Sequence, residues 1–328
     1  MGILQITNPT KACRDEKYLI PMRAAIFYHK VWDGGIMDTE NVDYFGCICK
    51  PWGISIPELE IVPDVYPEYT FDRLKDDLAK QTNEDGFLYP PIVYSAYLVG
   101  DAEAKPIPNS KRPAHMWQVP VSHKITYKTV AKDSARKGIS GFLIHLLAFL
   151  TGQTAQFLDW QVIGRIPIKA NRDFCFLEQS WHTYTETALA AWRALDADGQ
   201  KRLTNILYCR GRLFGYEEFW EEFLFNYMIA DSIWKLKFKP GGKHSERIAT
   251  MCKSFSLHED PEIFKRITDL RNDLFHESLW AKEMPGYSIN GVEEAIHLRN
   301  IVEQLIVRCL GFTAKLPPWT LRVDYSLD

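Results

Sequence analysis

The stretch PEIFKRITDLRNDLFHESLW, residues Pro261 to Trp280, carries the period of an amphipathic helix. Pro261 suits its first turn, where the missing N–H costs nothing. At about 100° per residue, Ile263, Ile267, Leu270 and Leu274 fall in one stripe that must face a core. The opposite face holds Asp269, Asn272, Asp273 and His276, with Arg271 at the flank. Asn272 and His276 stand four apart and are surface neighbours, and the Arg271 stem is long enough to curl towards the imidazole. Such a face can simply be solvated, as runs of charge usually are. The same arginine, amide and imidazole can also form a small acid–base and phosphate-binding set.

Around this stretch the chain stays helical in period from about Asn171 onward. FLEQSWHTYTETALAAWRAL ends at the turn DADGQ, and KRLTNILYCRGRLF follows as a second helix. In YEEFWEEFLFNYMIADSIWKLKF, the spacing of Phe219, Phe223, Tyr227 and Trp234 gives one broad apolar face that stops at KPGGK. SERIATMCKSF reads as a shorter helix. The last helix carries Val292, Ile296, Leu298, Ile301, Leu305 and Leu310 and ends near Gly311. Short connections between such helices make a bundle.

The first part is different in kind. RAAIFYHKVW, YFGCICKPWGISIPELEIV and HMWQVPVSHKITYKTV are rich in β-branched and aromatic residues punctuated by Pro and Gly, as strands are. YTFDRLKDDLAKQT reads as a short helix and KPIPNSKRP as a polar loop. DSARKGISGFLIHLLAFLTG reads as a buried helix with a capping Asp or Ser and a terminal Gly, and AQFLDWQVIGRIPI as a strand or hairpin. The expected class is therefore α+β, with a strand-rich domain over residues 1–170 and an all-α bundle over 171–328. Which of the two takes residues 133–180 stays open.

Composition narrows the function classes. The chain has 328 residues, 46% hydrophobic and 25% charged, with a formal net charge of −3, so nucleic-acid binding would have to come from a local patch. Its start lacks the pattern of a secretory signal, and the apolar run Ile139–Leu150 is too short to span a bilayer, so a cytoplasmic protein without a membrane partner is expected. Seven scattered cysteines fit a reducing compartment. Cys47 and Cys49 form a CxC pair with no second pair or nearby histidine to complete a zinc set. His182, His244, His258 and His297 show no metal-site spacing, no phosphate-binding glycine loop is visible, and neither metal nor cofactor is expected. His145, inside its apolar helix, reads as a core histidine.

Cleaving RNA without a metal requires a base for the ribose 2′ proton, an acid for the leaving oxygen and a cation against the phosphate. One helix supplies one His and one Arg. Two such helices facing each other across a twofold axis would supply a complete set, which favours a homodimer.

The run RNDLFH, Arg271 to His276, matches the R-N-x-x-x-H form of the R-x(4–6)-H motif of HEPN domains, and the chain resembles that family over about residues 180–328. The resemblance extends to the helix order, an aromatic helix FLFNYMIADSIWKL, a basic loop, a short helix and then ITDLRNDLFHE. It implies a helical bundle that works without a metal, typically as a dimer, as a ribonuclease of the abortive-infection, toxin or anti-phage type answering a phage or host trigger. By position, Arg271 would neutralise the scissile phosphate, His276 would transfer protons and Asn272 would fix the imidazole or bind the phosphate. Asp231 matches the acidic position of the preceding helix, and Asp273 is counted as a supporting residue. Some members keep the motif and only bind, so a non-catalytic nucleic-acid or partner-binding protein is the alternative. The first half resembles no named family and is expected to sense or regulate.

Lys235, Lys237, Lys239 and Lys243 bracket KPGGK, where they could follow an RNA backbone or simply complement the helix dipole.

Overall fold

The computed structural model describes residues 41–47, 52–63, 116–117, 122–152, 154–157, 162–163, 181–213, 218–238, 241–257, 260–286 and 288–313. The expected strand over RAAIFYHKVW, the helix over YTFDRLKDDLAKQT, the KPIPNSKRP loop, Cys49 and Lys239 lie outside the described residues. Two compact units emerge, Met1–Thr129 with Gln156–Ile168, and Val130–Ala155 with Lys169–Asp328.

In the first unit, β1 (Val42–Cys47), β2 (Ile54–Ser55), β3 (Leu59–Pro63) and β5 (His123–Tyr127) form antiparallel pairs, and β6 (Ala155–Phe157) completes a sheet of order β2-β3-β5-β1-β6. Alternation sets the inward face of β5, where His123, Ile125 and Tyr127 are buried. Ile125 pairs with Asp43 on one side and Ile61 on the other. The buried Asp43 carboxylate is satisfied by the Tyr127 hydroxyl at 3.0 Å and the Tyr44 N–H at 2.9 Å. A shorter strand β4 (Met116–Trp117) pairs with β7 (Val162–Ile163). The stretch expected as a strand or hairpin thus supplies β6 and β7, which join different sheets instead of pairing with each other.

The second unit is helical: α1 (Lys132–Lys137), α2 (Ile139–Thr151), α3 (Trp181–Arg193), α4 (Ala197–Arg212), α5 (Phe219–Lys237), α6 (His244–Ser254), α7 (Pro261–Asn272) and α8 (Val292–Cys309). The protein is α+β. The single helix expected around ISGFLIHLLAFL breaks at Gly138, and no Asp or Ser side chain caps either piece, because Ala131 and Gly138 occupy the N-cap positions. Gly152 closes α2 in the left-handed conformation. Every residue from Ile139 to Leu150 is buried, His145 included, as an all-round apolar helix requires.

Helices α5 and α8 pack most extensively against each other, with α4 alongside. Their core is partly ionic. Glu222 of α5 pairs with Arg299 of α8, and Glu303 of α8 with Arg210 of α4, all four side chains being buried. Burial pushes both guanidiniums down to about 9, with the charge of Arg210 adding to the effect at Arg299. These charges were invisible in the periodicity of α8, whose expected apolar face covers only part of what the fold buries.

Candidate functional site

Helix α7 begins as its sequence dictates. Asp260 caps it by accepting from the Glu262 N–H at 3.0 Å, Pro261 occupies the first turn, and Ile263, Ile267 and Leu270 are buried. The helix then widens into a π turn over Asp273–Glu277, closed by Ser278 in the left-handed conformation. A π turn advances less per residue than an α turn, so the apolar stripe loses register. Leu274, expected in the core, is half-buried, and Phe275 is exposed. Trp280, returning from the following loop, is buried and meets Phe223 edge to face at 5.5 Å.

The widened turn also decides the chemistry. In a regular α-helix two residues five apart point about 140° apart. Here Nη1 of Arg271 donates to Nε2 of His276 at 3.0 Å and to Oδ1 of Asn272 at 3.1 Å. Arg271 can only donate, so Nε2 of His276 is the acceptor in this bond. The guanidinium lies over the Phe275 ring at 4.8 Å and near the Tyr227 ring at 5.7 Å. His276 and Asn272 are exposed, and Arg271 is half-buried.

Arg271 differs from the neighbouring arginines in what it lacks. Arg247 pairs with Asp231, Arg266 with Glu293 and Glu294, Arg210 with Glu303 and Arg299 with Glu222. Among the described residues Arg271 has no carboxylate partner, and its Nε is buried without a hydrogen bond. A guanidinium without a carboxylate partner, beside an imidazole and an amide on an exposed face, has the chemistry to hold an anion.

Asp273 does not join this group. It is 6% exposed and receives Lys282 Nζ, while the Leu279 N–H bonds its carbonyl at 3.1 Å. The solvated position expected for it fails because the loop after the π turn folds back over it. Asp273 anchors the tight turn Trp280–Glu283, where Ala281 and Lys282 hold φ values of 49° and 71°. The pairing raises the Lys282 pKa through its hydrogen bond to Asp273.

Asp231 does reach the neighbourhood, and it arrives with partners the sequence reading did not select. Its carboxylate accepts from Nη1 of Arg247 at 2.9 Å and stands 3.5 Å from Nδ1 of His244, both on α6. Tyr227, one turn before Asp231 on α5, is buried against the Phe275 ring at 6.1 Å. Burial pushes the Tyr227 hydroxyl up, Arg271 and Arg247 oppose that, and Asp231 reinforces it. Desolvation lowers the His244 pKa, Asp231 raises it, and Arg247, Arg271 and Lys235 lower it further. Arg271, Tyr227, Asp231, His244 and Arg247 thus share one field. The available signal was Asp231 itself, since a carboxylate in an apolar helix needs a partner.

The lysines are less coherent. Lys235, Lys237 and Lys243 are exposed, and Lys243 stands 3.9 Å from Glu246. Lys235 acts on His244, whereas Lys237 acts on Cys309 at the end of α8, so the two do not serve one spot. No cluster of three or more potential metal ligands occurs among the described residues, and none of their helices is long and apolar enough to cross a membrane. No family model, no curated protein and no solved structure matches the chain.

Proposed function

We propose that the protein is a metal-independent endoribonuclease of the HEPN type, a cytoplasmic RNA-cutting toxin or anti-phage effector that works as a homodimer. The observation that carries this reading is Arg271, without a carboxylate partner and hydrogen-bonded to Nε2 of His276 on an exposed face. In the reaction the ribose 2′-oxygen attacks phosphorus, the bond to the 5′-oxygen breaks, and a 2′,3′-cyclic phosphate and a 5′-hydroxyl result. Arg271 neutralises the phosphate, His276 moves a proton, and Asn272 holds the guanidinium or the phosphate. The exposed Phe275 gives the site apolar surface for a second copy to cover. The strand-rich unit serves as sensor or regulator.

The test is incubation of the purified protein with mixed RNA in excess chelator. Cleavage leaving cyclic phosphate ends supports the reading, and intact RNA under every triggering condition rejects it.

One observation favours a second reading. The His276 Nε2 lone pair is occupied by Arg271, so a non-catalytic site that grips an anion without moving protons has the same geometry. RNA affinity with no turnover, unchanged in His276→Ala, would identify a binding protein.

A further inference from the structure

Proton transfer in RNA cleavage takes two groups, and a twofold copy of His276 would supply the second. The structure offers one closer at hand. His244, at the start of α6, presents a side chain 43% exposed with Nδ1 turned to Asp231 at 3.5 Å and to Nη1 of Arg247 at 3.4 Å. Its Nε2 makes no hydrogen bond among the described residues. His244 feels the charge of Arg271, and Arg271 bonds His276. Tyr227 and Asp231 stand four apart on α5, Tyr227 under Arg271 and Asp231 against His244.

We infer that His244 is the second catalytic residue of the same chain, the base for the 2′-hydroxyl, with Asp231 as its positioning residue. This rests on the ribonuclease reading and changes who completes the site. In this role His244 takes the tautomer whose Nδ1–H faces the Asp231 carboxylate 3.5 Å away, Arg247 keeping its own bond to Asp231, and the Nε2 lone pair is left for the substrate. His244 accepts the 2′ proton as the oxygen attacks phosphorus. Arg271 moves from His276 to the phosphate. His276, freed at Nε2 and protonated there from solvent, passes that proton to the departing 5′-oxygen. One histidine gains a proton and the other loses one, and solvent resets both. The homodimer then covers the face without lending an imidazole. The charges facing His244 are Asp231 and Lys235 of α5, Arg247 of its own helix and Arg271 of α7.

The experiment compares parent, His244→Ala, His276→Ala and Asp231→Asn on RNA and on a uridine 3′-nitrophenyl phosphodiester, whose leaving group needs no acid. Thermal melts establish that each variant is folded, and His244→Asn replaces His244→Ala if that variant is not. His244→Ala should lose about 100-fold or more on both substrates, whereas His276→Ala should lose as much on RNA and little on the ester. Asp231→Asn should shift the acidic limb of the kcat/KM profile to lower pH, because the carboxylate raises the His244 pKa. Mixing His244→Ala with His276→Ala should restore nothing, whereas a site shared between chains would regain about a quarter of parent activity and overturn the assignment. A His244→Ala variant as active as a cleaving parent would overturn the role of His244 and leave the ribonuclease reading standing. A parent that cleaves neither substrate would overturn both.

Discussion

Arg271 and His276 stand five residues apart and meet at 3.0 Å because the helix between them widens into a π turn. The contact therefore depends on a local departure from α geometry. Replacing Arg271 by Lys keeps the charge but cannot reproduce the planar fork that touches Asn272 and His276 and, in the proposed reaction, a phosphate. On the ribonuclease reading, Arg271→Lys is expected to lower cleavage about 100-fold while moving the thermal midpoint by no more than about 2 °C, since the side chain is only half-buried. Rates and melts on the same preparation check it.

The turn that follows holds two non-glycine residues in left-handed conformations, Ala281 and Lys282. Each costs about 1 kcal/mol relative to glycine, offset by Trp280 burial and the Asp273–Lys282 pair. Ala281→Gly is expected to stabilise the protein by up to about 1 kcal/mol in urea denaturation. Gly291→Ala should do the opposite, by about 1–3 kcal/mol, because its φ is 84° and a Cβ there would stand 3.0 Å from the Trp280 ring.

The ionic core of the bundle predicts an asymmetry. Arg299→Met leaves Glu222 buried without its partner and should cost about 3–5 kcal/mol. Replacing both, with Glu222→Leu added, should recover most of that loss. A double-mutant cycle in denaturant measures the difference.

Acid should unfold both units through buried histidines. Desolvation lowers His123 in the sheet and His145 in α2 from 6.5 to about 4. Between those values the unfolded chain binds protons that the folded chain refuses, so stability is full above about pH 6.5 and declines as pH falls towards 4. Each histidine contributes about 3 kcal/mol to the decline. His145→Leu should flatten the pH dependence of the denaturation midpoint.

Much of this molecule was legible in its sequence where periodicity or alternation speaks. The 3.6-residue pattern located α3 to α8, and β-branched alternation located β1, β3 and β5. Pro261 announced the start of α7. The pattern failed where tertiary structure overrides it. Nothing in RNDLFH signals a π turn, so Leu274 was expected in the core and Asp273 in water. Arg299 and Glu303 are buried because Glu222 and Arg210 reach them from other helices, a match between positions far apart in sequence. His244 and Arg247 escaped notice for the same reason, since only the fold brings α6 against Asp231.

The most direct measurement is of the RNA products themselves. Parent protein, Arg271→Ala and His276→Ala are incubated with tRNA and mixed RNA in excess chelator, and the ends are mapped. Cleavage by the parent alone, leaving 2′,3′-cyclic phosphates, is the result a metal-free site built on Arg271 and His276 predicts; intact RNA with the parent, or equal cleavage by all three proteins, would contradict it.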